Sequence, residues 1–282
     1  MKVFTLGGGF VAAHLPYPVV NEKFEISEKL IDTFLDFQKP DVIVNCIGKT
    51  GRPNVDWCEN NQSETANANI ALPIVLARAC EKRGIHLVHV GSGCIFFGES
   101  PNTTLVKDGD EAHTQDLGWK ENDFANPKSF YSKTKYACDL AIGSMKNVSV
   151  LRVRMPISDK NTQRNFINKV KGYKQVIDIP NSVTFMDDLV RAIDWTISKQ
   201  KIGIYHVVNP NPLSAAKVMQ EYQKYIPNHS FEIIDELQLD KLTTAKRSNC
   251  ILNSDKLRDE GFFMTPSEVA LENCMRKYIK NI

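Results

Sequence analysis

The chain has 282 residues, 42% hydrophobic and 24% charged, a globular composition with enough apolar residues for a sizeable core. Its 35 basic and 33 acidic residues leave a net charge of +2, so no nucleic-acid partner is expected; that would call for a basic patch. Seven scattered cysteines without a C-x-x-C pair argue against a disulfide framework or a metal site, and for reduced thiols in a cytoplasmic setting. The apolar run at the N-terminus is too short for a signal segment, and no stretch approaches the length of a membrane span, so no membrane partner is expected either.

Lys2–Leu6 reads as a first strand, followed by Gly7-Gly8-Gly9 and by Phe10–Leu15, which is expected to open a helix. Val19-Val20 is a very short second strand. Ser27 is a candidate N-cap for a helix with Leu30, Ile31, Phe34 and Leu35 on one face, stopped by Lys39-Pro40. Asp41–Ile47 is nearly all apolar, as a strand covered on both faces requires. Ser63–Arg83 predicts a long helix with Ile70, Ile74, Leu76 and Ala77 inward, ended by Gly84, and His86–Val90 predicts the next strand. Residues 98–128 are polar and turn-rich and read as a functional loop. Then come a helix over Phe130–Met145, a strand over Val148–Val153 and helices over Asn165–Lys171 and Asp187–Ser198. A strand over Ile204–Val208 and helices over Ser214–Tyr225 and Pro266–Ile279 complete the chain. The alternation predicts an α/β fold: a Rossmann-like, doubly wound parallel sheet with a smaller C-terminal substrate-binding lobe.

Three local patterns carry chemistry. A strand, a GGG turn and a helix are where a dinucleotide pyrophosphate sits against backbone N–H groups. On the spacing G-x-x-G-x-x-G the positions here are Leu6, Gly9 and Ala12, so one of three matches, and a plain glycine turn accounts for the run about as well. No acidic residue clearly ends the second strand, and Lys23 lies near where a 2′-phosphate would bind, which favours NADP over NAD. Tyr131 and Lys135 are four apart and share a helix face. An ammonium near a phenol stabilises the phenolate and lowers its pKa, so the tyrosine can exchange a proton with a carbonyl oxygen during hydride transfer. Tyr131 is the one tyrosine of eight with a lysine at that spacing, although by itself the spacing is weak and a solvated helix face is the simpler account of such a pair. Third, Ser92 and Cys94 follow the strand His86–Val90 and would point the same way in an extended backbone. Ser92 can donate a hydrogen bond to a carbonyl and Cys94 can trade protons with a neighbouring carbon, while the bland reading of Cys94 is a small buried hydrophobe.

The order of glycine turn, serine after a middle strand and Tyr-x-x-x-Lys on the next helix resembles the extended short-chain dehydrogenase/reductases, and Asn69 matches an asparagine typical there. The runs GKTGRPNVDWCE (48–59), GCIF (93–96), SFYSKTK (129–135), LRVRMPIS (151–158), RNFINKV (164–170), IPNSVT (179–184) and RSN (247–249) resemble the plant-type UDP-4-keto-6-deoxyglucose 3,5-epimerase/4-reductases, which make UDP-L-rhamnose. They are more distantly similar to dTDP-4-dehydrorhamnose reductases. The GSGCIF run also resembles GDP-fucose synthases, whose cysteine is an epimerisation acid/base. Leu6 and Ala12 depart from the plant pattern, which puts cofactor affinity in question but not the site.

The resemblance implies an NADPH-dependent enzyme acting on a nucleotide-sugar, in an assembly that is often a homodimer. Candidate cofactor contacts are Gly7, Gly8, Gly9, Phe10, Val11, Asn45 and Lys135, and candidate substrate contacts are Asn165, Asn181 and Arg247. Tyr131, Ser92 and Lys135 would carry reduction at carbon 4. The same carbonyl acidifies carbons 3 and 5, whose epimerisation needs an acid and a base: Cys94 for one, and for the other Lys169, the position that matches the plant enzymes. A lysine serves there if burial lowers its pKa. The expected NADP-binding domain spans 1–155 and 182–209, and the substrate lobe 156–181 and 210–282. Two rivals stay open: a pure dTDP-4-dehydrorhamnose reductase, and a non-catalytic regulatory subunit that keeps the fold.

Overall fold

Val42, Ile43, Val44 and Asn45 are all buried, and this β-branched run forms the middle of a six-stranded sheet. The computed structural model describes residues 1–20, 28–108 and 111–282. In chain order the strands are β1 (Val3–Leu6), β2 (Val19–Val20), β3 (Val42–Asn45), β4 (His86–Ser92), β5 (Thr103–Asp108), β6 (Glu111–Asp116), β7 (Val148–Val153), β8 (Pro156–Ile157), β9 (Gln175–Ile177), β10 (Thr184–Phe185), β11 (Gly203–His206) and β12 (Glu232–Ile234). The α-helices are α1 (Glu28–Gln38), α2 (Asp56–Asn60), α3 (Gln62–Ala66), α4 (Leu72–Glu81), α5 (Phe130–Ile142), α6 (Phe166–Lys171), α7 (Met186–Ser198), α8 (Ala215–Gln223), α9 (Glu236–Leu242), α10 (Asp255–Asp259) and α11 (Ser267–Ile279).

The described residues form two compact units: Met1–Ile95, Pro127–Arg152 and Val190–Tyr205 make the first, and Phe96–Asn126, Val153–Leu189 and His206–Ile282 the second. In the first, the sheet runs β11-β7-β4-β3-β1-β2, with β2, β1, β3 and β4 pairing parallel. This is the Rossmann-like architecture expected from the alternation. Its core joins Leu6, Ile43 and Leu87 of the sheet to Ile31 and Leu35 of α1, Leu76 and Ala77 of α4 and Cys138 and Ile142 of α5. Register aligns Leu6 with Asn45 and Asn45 with His89, so the C-terminal ends of β1 and β3 lie side by side and β4 runs on past them to Ser92. Open α/β sheets bind ligands at that edge. The second unit has its own core, which gathers Ile157, Ile167, Val176, Met219, Leu271 and Met275 around the parallel pairs β8–β10 and β9–β12.

Several elements depart from expectation. Phe10–Leu15 forms only a 3-10 turn over Ala12–His14, because Pro16 lacks the N–H a longer helix would need. The helix expected over 63–83 is interrupted by a π segment at Asn67–Ala71, which brings Asn69 inward. The expected loop 98–128 contains the antiparallel hairpin β5–β6 and, up to Asn126, groups with the second unit. There Trp119 Nε1–H donates to the Gly98 carbonyl at 3.0 Å, and the Gly98 N–H donates to the Asn249 carbonyl at 2.8 Å. Lys23 and Ser27, expected near a 2′-phosphate and at a helix N-cap, lie outside the described residues. No helix among the described residues is long and apolar enough to cross a membrane.

Candidate active site

The glycine turn follows β1. Gly7 has φ +95°, a conformation open to glycine, and a Cβ there would meet Ile47 N at 3.1 Å and Cys46 C at 3.3 Å. The turn therefore lies against the end of β3. A Cβ on Gly9 would meet nothing within 4 Å, so backbone is presented to open space there. With only a 3-10 turn behind it, this loop offers N–H groups rather than the dipole of a long helix.

Strand β4 ends at Ser92 and the chain turns at once, so the extended backbone expected through Cys94 is not formed. The Cys94 N–H instead donates to Ser92 Oγ at 3.2 Å. This turn is tied to α5. Ser129 caps that helix by accepting the Ser132 N–H at 3.1 Å, and Ser132 Oγ–H donates to the Cys94 carbonyl at 2.5 Å. Glu59 accepts the Phe130 N–H at 2.8 Å, placing a carboxylate at the positive end of the helix. Further along α5, Asp139 pairs with Arg152 of β7 at 2.8 Å, both almost wholly buried. The Tyr131–Lys135 segment is thus tied to the turn at its N-terminal side and to β7 beyond its C-terminal side. Neither Ser129 nor Ser132 stands out as chemistry, but the spacing Ser-x-x-Ser before an apolar run is a legible cap.

Tyr131 and Ser92 are buried and share a side-chain hydrogen bond. Burial pushes the Tyr131 phenol above its ordinary value, the neighbouring Cys94 adds to this, and the Ser92 hydrogen bond pulls the other way. The chain alone therefore holds Tyr131 as a phenol, against the depressed value expected from Lys135. The protonated form is the one that can donate. Lys135 is 4% exposed, yet its polar contacts among the described residues are long: Nζ donates to the Val90 carbonyl at 3.4 Å and lies 3.5 Å from His89 Nε2. Cys94 is half-buried. Asn45 is fully buried and turned inward, its Oδ1 accepting the Ile47 N–H at 3.0 Å. Asn69 clamps the 48–50 turn to α5, donating to the Lys49 carbonyl at 3.0 Å and to Thr134 Oγ1 at 3.1 Å.

The other candidates belong to the second unit. Asn165 has no exposed surface and caps α6. Its Oδ1 accepts from Ser158 N at 3.2 Å and Ile167 N at 3.3 Å, and its Nδ2 donates to the carbonyls of Ser158 at 2.6 Å and Lys160 at 2.8 Å. Asn181 accepts from Arg154 Nη2 at 2.6 Å and Cys250 N at 3.0 Å and donates to Asn249 Oδ1 at 3.1 Å. Arg247 is half-buried beside this cluster, with Nη1–H on the Ala245 carbonyl at 3.3 Å. Lys169 is half-buried on α6.

Comparison with known proteins adds a family. Residues 17–279 match the RmlD substrate binding domain. A bifunctional dTDP-4-dehydrorhamnose 3,5-epimerase/dTDP-4-dehydrorhamnose reductase of Arabidopsis thaliana is 36% identical over 244 residues, covering 86% of this chain and 77% of the relative. A trifunctional UDP-glucose 4,6-dehydratase/UDP-4-keto-6-deoxy-D-glucose 3,5-epimerase/UDP-4-keto-L-rhamnose-reductase of the same plant is 34% identical over 271 residues; these cover 94% of this chain but only 38% of that protein. Among solved structures, a UDP-rhamnose synthase from Acanthamoeba polyphaga mimivirus superimposes with a TM-score of 0.86 at 26% identity, over 98% of this chain and 99% of that one. A dTDP-4-dehydrorhamnose reductase of Bacillus anthracis, solved in complex with NADP, superimposes with a TM-score of 0.80 at 19% identity, over 98% and 99% of the two chains.

Proposed function

This chain belongs to the RmlD substrate binding domain family, whose relatives here are nucleotide-sugar enzymes, and from that premise we propose that it is an NADPH-dependent 3,5-epimerase and 4-reductase of UDP-4-keto-6-deoxyglucose, yielding UDP-L-rhamnose. The observation that carries the reading is the buried Tyr131 phenol with Ser92 acting on it, one turn of α5 before Lys135, a buried lysine whose polar contacts among the described residues are long.

The cofactor fits the residues present. Gly9 faces open space where a pyrophosphate could approach the backbone, and Gly7 brings the turn close to the end of β3. Lys135 keeps bonding capacity for a ribose hydroxyl. When bound, NADPH would supply the hydride for carbon 4. Ser92 and Tyr131 orient the carbonyl oxygen and stabilise the enolate that forms when a proton leaves carbon 3 or 5. Tyr131 then protonates that oxygen during reduction, and Lys135 stabilises the resulting phenolate. Cys94 is assigned as one acid/base of epimerisation and Lys169 as the other. Arg247 is assigned to the nucleotide diphosphate, which a guanidinium can bind at two oxygens. Asn165 and Asn181 support the second unit, since their side chains are spent on the protein's own groups.

The test is turnover of UDP-4-keto-6-deoxyglucose with NADPH in deuterated water, with the product identified by NMR. Deuterium at carbons 3 and 5 together with UDP-L-rhamnose supports the full reading. Reduction without exchange leaves a 4-reductase, and no NADPH oxidation leaves the non-catalytic rival. In Cys94→Ala, exchange at carbon 3, carbon 5 or both should be lost while reduction of supplied UDP-4-keto-rhamnose survives. Unchanged exchange in the folded variant removes Cys94 from the mechanism.

A further inference from the structure

Strand β4 contributes a side chain to the surroundings of Lys135 that the reaction above does not use. His89 has no exposed surface, and its register partner is Asn45, so both side chains leave the sheet on one face. Asn45 Nδ2 lies 3.0 Å from His89 Nδ1. The Ile47 backbone N–H donates to Asn45 Oδ1 at 3.0 Å. A backbone N–H cannot accept, so Oδ1 must face Ile47 and the amide must show its NH₂ to the imidazole. Nδ1 then accepts, and the proton of the neutral ring sits on Nε2. Burial, and after it the charge of Lys135, hold the imidazole neutral by pushing its pKa well below the ordinary value. Nε2 is 3.5 Å from Lys135 Nζ and 3.8 Å from Cys138 Sγ.

We propose that His89 is a positioning residue that presents a hydrogen-bond donor, not an acceptor, to Lys135. An ammonium cannot donate to an N–H. While Lys135 is charged, Nε2–H rests on the Cys138 sulfur, and the ammonium keeps the Val90 carbonyl and turns its other protons away from His89. The role in turnover rests on the reductase reading. Once Tyr131 has given its proton to the substrate oxygen, Lys135 can return one: an N–H bond at Nζ breaks, an O–H bond forms on Tyr131, and the lysine becomes an amine with a lone pair. Nε2–H is then the matching donor to that lone pair, until a solvent proton restores the ammonium. The lone pair develops as the Nζ–H bond breaks, so the donor at Nε2 stabilises the transition state of this proton return more than the ammonium before it and speeds that step.

The first test needs no substrate. In a nitrogen-15 NMR spectrum of the labelled full chain at neutral pH, with His89 assigned by its loss in His89→Gln, Nε2 should be protonated and Nδ1 bare. The reverse pattern, or a doubly protonated ring, overturns the proposal. The second test is kinetic. His89→Leu should lower kcat for reduction about tenfold, on the order of one hydrogen bond, with the KM for NADPH within about twofold. His89→Gln, whose amide can place a donor near the Nε2 position, should recover most of the loss. Equal losses in both variants, or a KM that rises as kcat falls, overturn the positioning role. A wild-type chain that reduces no 4-keto sugar nucleotide refutes the proposed function instead, while the spectrum still decides the tautomer.

Discussion

Tyr131 and Lys135 were singled out by their spacing and by resemblance, Asn165 and Asn181 by resemblance alone, and the two sets are bonded in opposite ways. Each asparagine uses both ends of its side chain on neighbouring protein groups, mostly at 2.6–3.3 Å. Lys135, equally buried, has two polar contacts among the described residues, at 3.4 and 3.5 Å. A buried polar group with its partners in place is part of the scaffold, and one held short of partners has capacity left for a ligand. Resemblance picks out a residue, and bonding saturation separates chemistry from architecture.

The largest expected effect lies at the undersaturated corner. Tyr131→Phe should cost reduction about a hundredfold or more, the usual range for a positioned acid, with NADPH affinity and melting temperature nearly unchanged. Near-normal turnover would show that another group is the acid. Asn181→Ala should act the other way: it leaves the Cys250 N–H without its acceptor and takes one of two acceptors from Arg154 Nη2, which keeps the Ser248 carbonyl, and stability should fall by about 1–3 kcal/mol in denaturant titration. A raised substrate KM at unchanged stability would return Asn181 to the substrate and break the contrast. Asn165→Ala removes the cap of α6 and should cost about 1–2 kcal/mol, with activity per folded molecule retained. The smallest effect is in pH. Burial lowers the pKa of His89 and His86 in the folded chain, so the unfolded chain binds more protons in acid. That stability is fully present above the unfolded value of about 6.5 and is lost as pH falls toward and through the folded values. Melting temperature should decline over that window, and a flat profile would contradict the neutral, buried His89.

Much of this was legible in sequence, and the reason is local. Alternation of period and turn residues marked β1, β3, β4, β7 and α5, because a strand covered on both faces must be apolar and a helix must cap its first N–H groups. The hairpin β5–β6 stayed hidden: Thr103, Thr104, Leu105 and Lys107 are all exposed, and a ribbon bathed on both sides leaves no apolar alternation to read. The Tyr131–Lys135 pair could be found because its members are four apart in a helix. His89 could not, because its partners lie 44, 46 and 49 positions away and only register and packing bring them together. The amino-acid order by itself determined the apolar central strands β1, β3, β4 and β7 and the capped helix α5, and which residue types stand at their ends. Tertiary structure alone decided the protonation of Tyr131, the tautomer of His89 and the bonding of Asn165 and Asn181, since each depends on burial and on neighbours distant in the chain.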